Sequence, residues 1–165
     1  MNRLLLNPIG VIHSPFQRSS DTPIQAAMAE GAEGWVEILP EYTAGLKDLE
    51  GFDRIWLFYW FDRAIPGQLL VKPFLDQERH GVFATRSPCR PNAIGLSCVR
   101  LLGVAGGRLN VSGLDILDQT PLLDIKPYVP AFDSFEVRRI GWLEGKGAKA
   151  VRADGRFEIR EPKLK

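Results

Sequence analysis

The sequence predicts a mainly β protein, a closed or nearly closed barrel with a few short helices. Its 16 glycines and 12 prolines are scattered along 165 residues and divide the chain into short elements. Several of these elements alternate apolar and other residues with a period of two, the pattern of a half-buried strand. Many short strands with few helical patterns are typical of a barrel or a sandwich. The fold is expected to be non-Rossmann, because no Gly-x-Gly-x-x-Gly lies between a strand and a helix.

The first half of the chain carries three predicted strands, at residues 4–13, 35–39 and 54–61. The third is nearly all apolar and aromatic, which favours a strand covered on both faces and part of the core rather than a subunit interface. Residues 19–34 are predicted to form a loop with a short helical piece at 24–30. One or two helical turns are predicted at residues 43–49, ending at Gly51.

The clearest strand of the second half is predicted at residues 94–104. Its buried face is expected to consist of apolar residues at two-residue spacing, namely Ile94, Leu96, Cys98, Leu102 and Val104. A shift in apolar parity at Gly113 predicts a bulge or bend in a strand at 108–117. Further strands are predicted at 82–85, 122–129, 135–143 and 156–161, and a mobile loop at 145–154. We expect one barrel domain over residues 1–140 and a short basic hairpin or strand extension, 141–165, packed on it.

Composition limits the possible functions. The chain has 21 Lys and Arg, 20 Asp and Glu, and 45% hydrophobic residues, as in ordinary soluble proteins. No run approaches the roughly 20 apolar residues of a membrane span, and no secretory leader is visible, so a cytoplasmic protein that does not enter a membrane is expected. Two cysteines and two histidines without finger-like spacing indicate neither a disulfide scaffold nor a metal site.

Charge is unevenly distributed along the chain. Residues 1–50 contain three basic and seven acidic residues, whereas residues 138–165 contain nine basic and four acidic ones. A positive C-terminal end is suited to phosphate backbones. An ordinary solvated surface explains the same pattern.

Two polar segments are the strongest candidates for chemistry. The turn 85–95 carries Arg86, Arg90 and Asn92 between prolines, and arginine forks suit carboxylates or phosphates, although internal ion pairs are the alternative. The second segment begins with an acidic turn at 115–121, for which a plain β-turn is the alternative. It continues with Asp124, Lys126 and Tyr128, which share one strand face and indicate either a pocket wall or a structural Asp–Lys pair.

Other candidates are weaker. The pair Asp62–Arg63 follows the aromatic strand, and residues 22–25 lie in an early loop. His13, on an otherwise apolar strand, is expected to be structural rather than catalytic. Cys89 lies in the arginine-rich turn, but no histidine partner is evident for a nucleophilic thiolate.

Four segments carry a resemblance to a known family, namely residues 9–16, 81–88, 90–97 and 117–128. Their order and spacing resemble the TsaA-like domain of the TrmO-type tRNA methyltransferases, from about Leu6 to Pro130. Two features depart from the family pattern. The chain stops soon after the barrel, whereas larger bacterial members carry an additional C-terminal segment. Gln119 stands where the family often has glycine.

The resemblance implies an S-adenosylmethionine-dependent methyltransferase built on a β-barrel, usually a homodimer. Its expected reaction is methylation of the exocyclic nitrogen of threonylcarbamoyl-adenosine in the tRNA anticodon loop. The implied cofactor contacts are Pro23, Gln25, Asp62, Arg63, Arg86, Leu96, Asp115, Leu117, Asp118 and Thr120. The residues expected near the acceptor or the RNA are Arg90, Asn92 and Lys126, with Arg138 and Arg139 as candidate phosphate contacts.

The expected reaction places definite demands on the site. Methyl transfer from a sulfonium needs the acceptor held in line with the methyl group. The acceptor nitrogen is poorly nucleophilic, so we expect Tyr128 or Asp124 to help remove its proton. A same-fold methyltransferase for a small molecule, or a non-catalytic S-adenosylmethionine-binding module, are the alternative functions.

Overall fold

The computed structural model describes residues 4–29, 31–146 and 152–159, and its centre is a closed antiparallel β-barrel. These residues contain eight strands, β1 (Gly10–His13), β2 (Glu33–Ile38), β3 (Arg54–Trp60), β4 (Leu70–Val71), β5 (His80–Gly81), β6 (Ile94–Ala105), β7 (Arg108–Ser112) and β8 (Thr120–Pro127). Six of them close the barrel in the order β1-β2-β7-β6-β3-β8, and β4 pairs with β5 alone. The predicted mainly β barrel is therefore confirmed.

Helical segments are short. The helix α1 spans Pro130–Asp133. The others are 3₁₀ turns at Ser19–Asp21, Ala26–Met28, Pro40–Leu46, Leu49–Gly51, Val82–Ala84, Gly141–Leu143 and Gly155–Phe157. The turn Ala26–Met28 lies inside the helical piece predicted for the early loop.

Branched apolar side chains fill the barrel. Ile12, Val36, Ile55, Leu57 and Val99 are fully buried there, one or more from each of four strands. Burying one such side chain contributes roughly 1.5–3 kcal/mol. This core fixes the ends of β3, β6 and β8, where the candidate site lies.

The predicted buried face of β6 is wrong for most of the strand, although Val104, beyond the register shift between Leu101 and Gly103, packs against the core as predicted. The structure turns Ile94, Leu96 and Leu102 outward, and each is at least 40% exposed. The inward set is Gly95, Ser97, Val99 and Leu101. Both faces of this strand carry apolar residues, so the period of two is visible in the sequence without indicating which face is inside.

The prediction that β3 is covered on both faces is also wrong. Its inward residues Ile55, Leu57 and Tyr59 are buried, whereas the outward Trp56 and Phe58 are half-buried and Trp60 is 48% exposed. The outer faces of β3 and β6 are adjacent because the two strands pair from Arg54–Arg100 to Trp60–Ile94. Together they form an apolar outer surface.

Three predicted strands are absent from the described residues, namely 82–85, 135–143 and the described part of 156–161, where a 3₁₀ turn spans Gly155–Phe157. The segment 82–85 begins with a 3₁₀ turn, in which the Thr85 amide donates to the Val82 carbonyl. The segment 135–143 is exposed as far as Gly141 and forms no strand, because β8 is already paired with β1 and β3 and a closed barrel offers no edge there. The predicted strand 108–117 ends at Ser112, and Gly113 follows with φ +85°.

A smaller apolar cluster lies beside the barrel. It contains Val71, Val82, Cys89 and Phe157, with Phe74 packed against it. Burial raises the pKa of the Cys89 thiol, consistent with a structural cysteine. Phe157 attaches the C-terminal part of the chain to this cluster. Half of the predicted mobile loop 145–154, namely residues 147–151, and the end of the last predicted strand, 160–161, lie outside the described residues.

Within the described ranges no helix is long and apolar enough to cross a membrane. Three or more His, Cys, Asp or Glu side chains do not gather anywhere in this part of the chain in a way that would hold a metal ion.

Candidate functional site

A pocket of about 320 Å³ opens at the end of the barrel where β3 ends and β6 and β8 begin. Tyr59 and Phe61 reach it from β3 and the residues after it, Gly95 and Leu96 from β6, and Thr120 from β8. The antiparallel pairing of these strands brings the end of β3 next to the starts of β6 and β8.

The two polar turns singled out in the sequence line this one pocket. Arg86 and Arg90 come from the arginine-rich turn, and Asp115 and Leu117 from the acidic turn. Their meeting depends on the barrel, because β6 and β7 separate the two turns along the chain. Of the ten predicted cofactor contacts, nine line the pocket: Pro23, Gln25, Asp62, Arg63, Arg86, Leu96, Asp115, Leu117 and Thr120.

Hydrogen bonds hold the guanidinium groups of Arg86 and Arg63 at the pocket rim. Arg86 Nη1 donates to Gln25 Oε1 at 2.7 Å, which joins the arginine-rich turn to the early loop. Arg63 Nη2 donates to Thr120 Oγ1 at 2.8 Å, and that hydroxyl donates to the Leu117 carbonyl at 2.8 Å. Arg63 also pairs with Asp62 at 3.3 Å. Each arginine keeps further N–H groups for a bound anion.

A carboxyl group with an unusual environment lies in the pocket wall. Ser97 Oγ donates to Asp115 Oδ1 at 2.5 Å, and the backbone amides of Asp115 and Ala26 also favour the charged carboxylate. Burial nevertheless outweighs these bonds and raises the pKa of Asp115 to about 6. The Tyr59 hydroxyl lies 3.0 Å from Ser97 Oγ and continues the chain of polar groups into the barrel.

The C-terminal strap, residues 152–159, forms one side of the pocket. The Ala153 amide donates to the Thr22 carbonyl at 2.9 Å, and the Ile159 amide donates to the Arg63 carbonyl at 3.0 Å. Glu158 Oε1 accepts from the Ser19 amide at 3.1 Å. The strap thus runs between the early loop and the segment after β3 and brings Asp154, Phe157 and Glu158 to the pocket lining.

Asp118, the tenth predicted cofactor contact, is turned away from this pocket. Its carboxylate accepts from the Ser14 amide at 3.0 Å and from Gln17 Nε2 at 3.1 Å, and these bonds lower its pKa against the opposing effect of burial. Gln119 has φ +64°, a left-handed conformation that favours glycine, the residue the family often has there. Its side-chain amide lies 3.0 Å from His13 Nδ1, and His13 stacks on Trp35.

Arg90 and Asn92 have different surroundings. Arg90 Nη1 donates to the carbonyls of Val82 and Thr85 at 3.1 and 2.8 Å and thereby braces its own turn, although Arg90 still lines the pocket. The alternative that the arginines of this turn make internal contacts is therefore partly correct for Arg90, but its partners are backbone carbonyls and not carboxylates. Asn92 is exposed and not among the pocket-lining residues.

The remaining predicted residues lie outside the pocket of the same chain. Asp124 and Lys126 share one face of β8, as predicted, and pair at 2.9 Å on the outside of the barrel. Tyr128 packs edge-on against Trp56. Arg138 and Arg139 are exposed in the segment that follows α1.

Sequence reasoning missed Tyr59, Ser97 and the strap. Tyr59 is hidden within a run of aromatic residues, and Ser97 lies on the face of β6 that the sequence predicts to be the outer one. The available signal was Ser97 itself, a polar residue between the apolar Leu96 and Cys98. The strap is separated from the rest of the pocket by more than thirty residues of chain.

Comparison with known proteins agrees with this architecture. A family model described as the tRNA-methyltransferase O N-terminal domain matches residues 11–134. The chain belongs to this family. A relative from Pyrococcus abyssi, named a probable S-adenosyl-L-methionine-binding protein, is 57% identical over 152 residues, which cover 91% of this chain and 83% of the relative.

More distant members of the TrmO family carry more specific names. The mouse tRNA (adenine(37)-N6)-methyltransferase is 39% identical over 142 residues, covering 79% of this chain and 32% of the mouse protein. A crystal structure of TrmO from Pseudomonas aeruginosa aligns with a TM-score of 0.74 at 40% identity, covering 88% of this chain and 64% of that one. The chain thus spans just under two thirds of that solved TrmO chain.

Proposed function

We propose that this TrmO-family chain is an S-adenosylmethionine-dependent methyltransferase that modifies tRNA, with the exocyclic nitrogen of threonylcarbamoyl-adenosine in the anticodon loop as acceptor. The observation that carries the proposal is the meeting of the arginine-rich and acidic turns in one pocket. The name of the mouse relative supports a tRNA adenine N6 position as the acceptor, and the name of the Pyrococcus relative supports S-adenosylmethionine as the cofactor. Because tRNA is a substrate of the cell interior, we place this activity in the cytoplasm.

The pocket fits the methyl donor chemically. Its volume of about 320 Å³ lies at the small end of the range usual for small-molecule sites. Arg86 and Arg63 suit the donor's carboxylate, because guanidinium forks bind carboxylates bidentately. Asp115 and Asp62 suit its ammonium group, ribose hydroxyls or sulfonium. The bound donor supplies an electrophilic methyl group, and the residues of this chain bind and orient it.

Nine of the ten predicted cofactor contacts are retained in this proposal, and Asp118 acts through the turn that it stabilises. The hydrogen bond from the Ser14 amide to the Asp118 carboxylate fixes the start of that turn. Asp118 is therefore proposed as a positioning residue rather than a direct contact.

A homodimer is part of the proposal because Asp124 and Tyr128, the groups expected to help remove the acceptor's proton, lie outside the pocket of their own chain. The apolar outer surface of β3 and β6 carries Trp60 and Leu102, 48% and 47% exposed, and it adjoins Asp124, Lys126 and Tyr128 through the Trp56–Tyr128 and Phe58–Lys126 contacts. Leu96 belongs both to this surface and to the pocket. Pairing two copies through it would bring Asp124 and Tyr128 of one copy towards the pocket of its partner, where either can accept the acceptor's proton.

Surface residues are proposed to hold the RNA. Arg138 and Arg139 project from an exposed segment that also carries Phe132 and Phe135, and cations beside exposed aromatic rings suit phosphates and unstacked bases. Arg90, Asn92 and Lys126 lie nearer the barrel and are proposed to face the acceptor nucleotide. We also propose the division into a barrel domain, 1–140, and an extension, 141–165, packed on it.

The proposal is tested by two measurements on the whole chain. Calorimetry with S-adenosylmethionine measures binding, and transfer of a radiolabelled methyl group to tRNA with or without the threonylcarbamoyl group measures the reaction. We expect transfer only to the modified tRNA. Arg86→Ala should weaken cofactor binding about tenfold or more, since a charge-assisted bidentate contact is lost, whereas the exposed control Arg79→Ala should leave binding unchanged.

The same assay tests the shared site. A mixture of Asp124→Asn and Arg86→Ala chains should recover part of the activity that each lacks alone, because one of the two sites in a mixed dimer then combines intact residues from both copies. Leu102→Glu should give a monomer in sedimentation. Transfer to unmodified tRNA, no recovery on mixing, or binding without any transfer would each contradict a named part of the proposal, and the last outcome would favour a non-catalytic binding module.

A further inference from the structure

Three hydroxyl and carboxyl groups form a hydrogen-bonded line between the barrel interior and the pocket. The line runs from Tyr59 Oη to Ser97 Oγ, 3.0 Å apart, and from Ser97 Oγ to Asp115 Oδ1, 2.5 Å apart. Tyr59 and Ser97 are only 4% and 2% exposed, so water does not replace these bonds. Asp115 is half-buried and lines the pocket.

The direction of each bond follows from counting protons. A serine hydroxyl has one proton, and an ionised carboxylate has none. When Asp115 is charged, Ser97 must donate to it, and Tyr59 must therefore donate to Ser97. Both donors then favour the negative charge, directly from Ser97 and by polarisation from Tyr59.

The backbone is adapted to this line. The Tyr59 ring lies over Gly95, the residue paired with it on β6, and a Cβ atom at Gly95 would collide with that ring. Phe61 contacts the ring edge-on with the centroids 5.2 Å apart. The Tyr59 hydroxyl is consequently held at one position, two residues along β6, beside Ser97.

We propose that Tyr59 and Ser97 are positioning residues of the methyl-donor site, which hold the Asp115 carboxylate charged and oriented towards the cationic part of the donor. This inference rests on the proposed function, since it assigns Asp115 to a positively charged ligand. The donor carries an ammonium and a sulfonium, and a fixed carboxylate attracts a cation most strongly where water is excluded.

Other charges act on Asp115 from the surrounding elements. The Arg86 guanidinium favours the ionised form at longer range, and burial opposes it. The remaining ionisable side chains of the pocket wall are Asp62, Arg63, Arg90, Asp154 and Glu158. Arg63 forms an ion pair with Asp62 and a hydrogen bond with Thr120. Arg90 donates hydrogen bonds to backbone carbonyls, and Asp154 forms an ion pair with Arg156. Ser97 is therefore the side chain that bonds directly to the Asp115 carboxylate and favours its charge.

The test is the pH dependence of S-adenosylmethionine binding to the whole chain, measured by calorimetry from pH 5.5 to 8.5. The wild-type affinity should rise through about pH 6 and level off by pH 7, as Asp115 loses its proton. Ser97→Ala should move this midpoint upward by about 1–2 pH units, because a hydrogen bond to a charged group contributes roughly 1.5–3 kcal/mol. Its affinity at pH 7 should fall about two- to tenfold and recover by pH 8.5.

Tyr59→Phe keeps the ring over Gly95 and should move the midpoint in the same direction by a smaller amount. The controls Ser112→Ala and Tyr42→Phe remove hydroxyls outside the pocket and should leave the midpoint unchanged. Recovery at high pH distinguishes positioning from damage to the fold, which would weaken binding at every pH.

Two results overturn the inference alone: a wild-type affinity that does not vary with pH, or a Ser97→Ala loss that is uniform across pH. A wild-type chain that binds no S-adenosylmethionine at any pH would instead overturn the proposed function, and the inference with it. A ¹³C titration of the Asp115 carboxyl in the unliganded chain separates these cases further, because its midpoint must rise in Ser97→Ala whatever the ligand.

Discussion

Replacing Asp115 with asparagine should stabilise the unliganded protein at neutral pH. Burial raises the pKa of Asp115 in the folded chain to about 6 from an ordinary value of 3.8. The folded state therefore holds the proton more tightly than the unfolded state. The contribution of Asp115 to the free energy of unfolding is fully present below about pH 4 and is lost as the pH rises through about 6.

The magnitude follows from the difference between the two pKa values. A shift of about two units corresponds to about 3 kcal/mol of unfolding free energy, at 1.36 kcal/mol for each unit. Asparagine is uncharged and retains an oxygen that can accept from Ser97, so it resembles the protonated carboxyl group. The advantage of Asp115→Asn should be below about 1 kcal/mol at pH 4 and reach about 3 kcal/mol at pH 7 and above.

Urea unfolding of both proteins at five pH values between 4 and 8 measures this difference. The exposed control Asp53→Asn should differ from the wild type by less than about 0.5 kcal/mol at each pH. The same Asp115→Asn chain should bind S-adenosylmethionine more weakly, an exchange of stability for ligand affinity that is common at functional sites. An advantage that stays constant or shrinks as the pH rises would refute the reasoning.

Two further substitutions probe the geometry of the site. Gly95→Ala should destabilise the chain by about 1–3 kcal/mol in urea unfolding, because the new methyl group meets the Tyr59 ring. The control Gly103→Ala on the same strand meets no atom and should have little effect on stability. Equal losses of stability in the two variants would contradict this reasoning. Thr120→Val should lower the free energy of unfolding by about 1–3 kcal/mol and weaken S-adenosylmethionine binding in calorimetry, because the buried hydroxyl bonds both Arg63 and the Leu117 carbonyl. Thr120→Ser keeps the hydroxyl and should retain both properties. A Thr120→Ser chain as impaired as Thr120→Val would argue against a role of the hydroxyl.

The barrel could be predicted because its strands are short and patterned. The order of the strands, and the closure of β8 on β1, depend on pairings between distant residues that periodicity does not reveal. The face of β6 shows the same limit. Its two sets of alternate residues are both largely apolar, and the set with Ser97 lies inside because Tyr59 packs over Gly95 and because Val99 and Leu101 join the barrel core.

The pocket was predictable in part because two of its walls are continuous turns. The arginine-rich and acidic turns each contain several polar residues in sequence, so composition alone marks them. The third wall was not predictable, since the strap contributes single residues that reach the pocket through backbone hydrogen bonds to Thr22 and Arg63. Backbone bonds leave no side-chain signature in a sequence.

The contacts of the strap reduce the positive charge that the basic C-terminal end can offer to phosphates. Arg156 pairs with Asp154 at 2.6 Å, stacks over the Phe74 ring and donates to the carbonyls of Lys72 and Pro73. Its charge is therefore engaged within the fold, and the same strap presents Asp154 and Glu158 to the pocket. A count of basic residues thus overstates the positive surface available to phosphates. The exposed Arg138 and Arg139 are better placed for RNA than Arg156, because no carboxylate or carbonyl of the described residues binds their guanidinium groups.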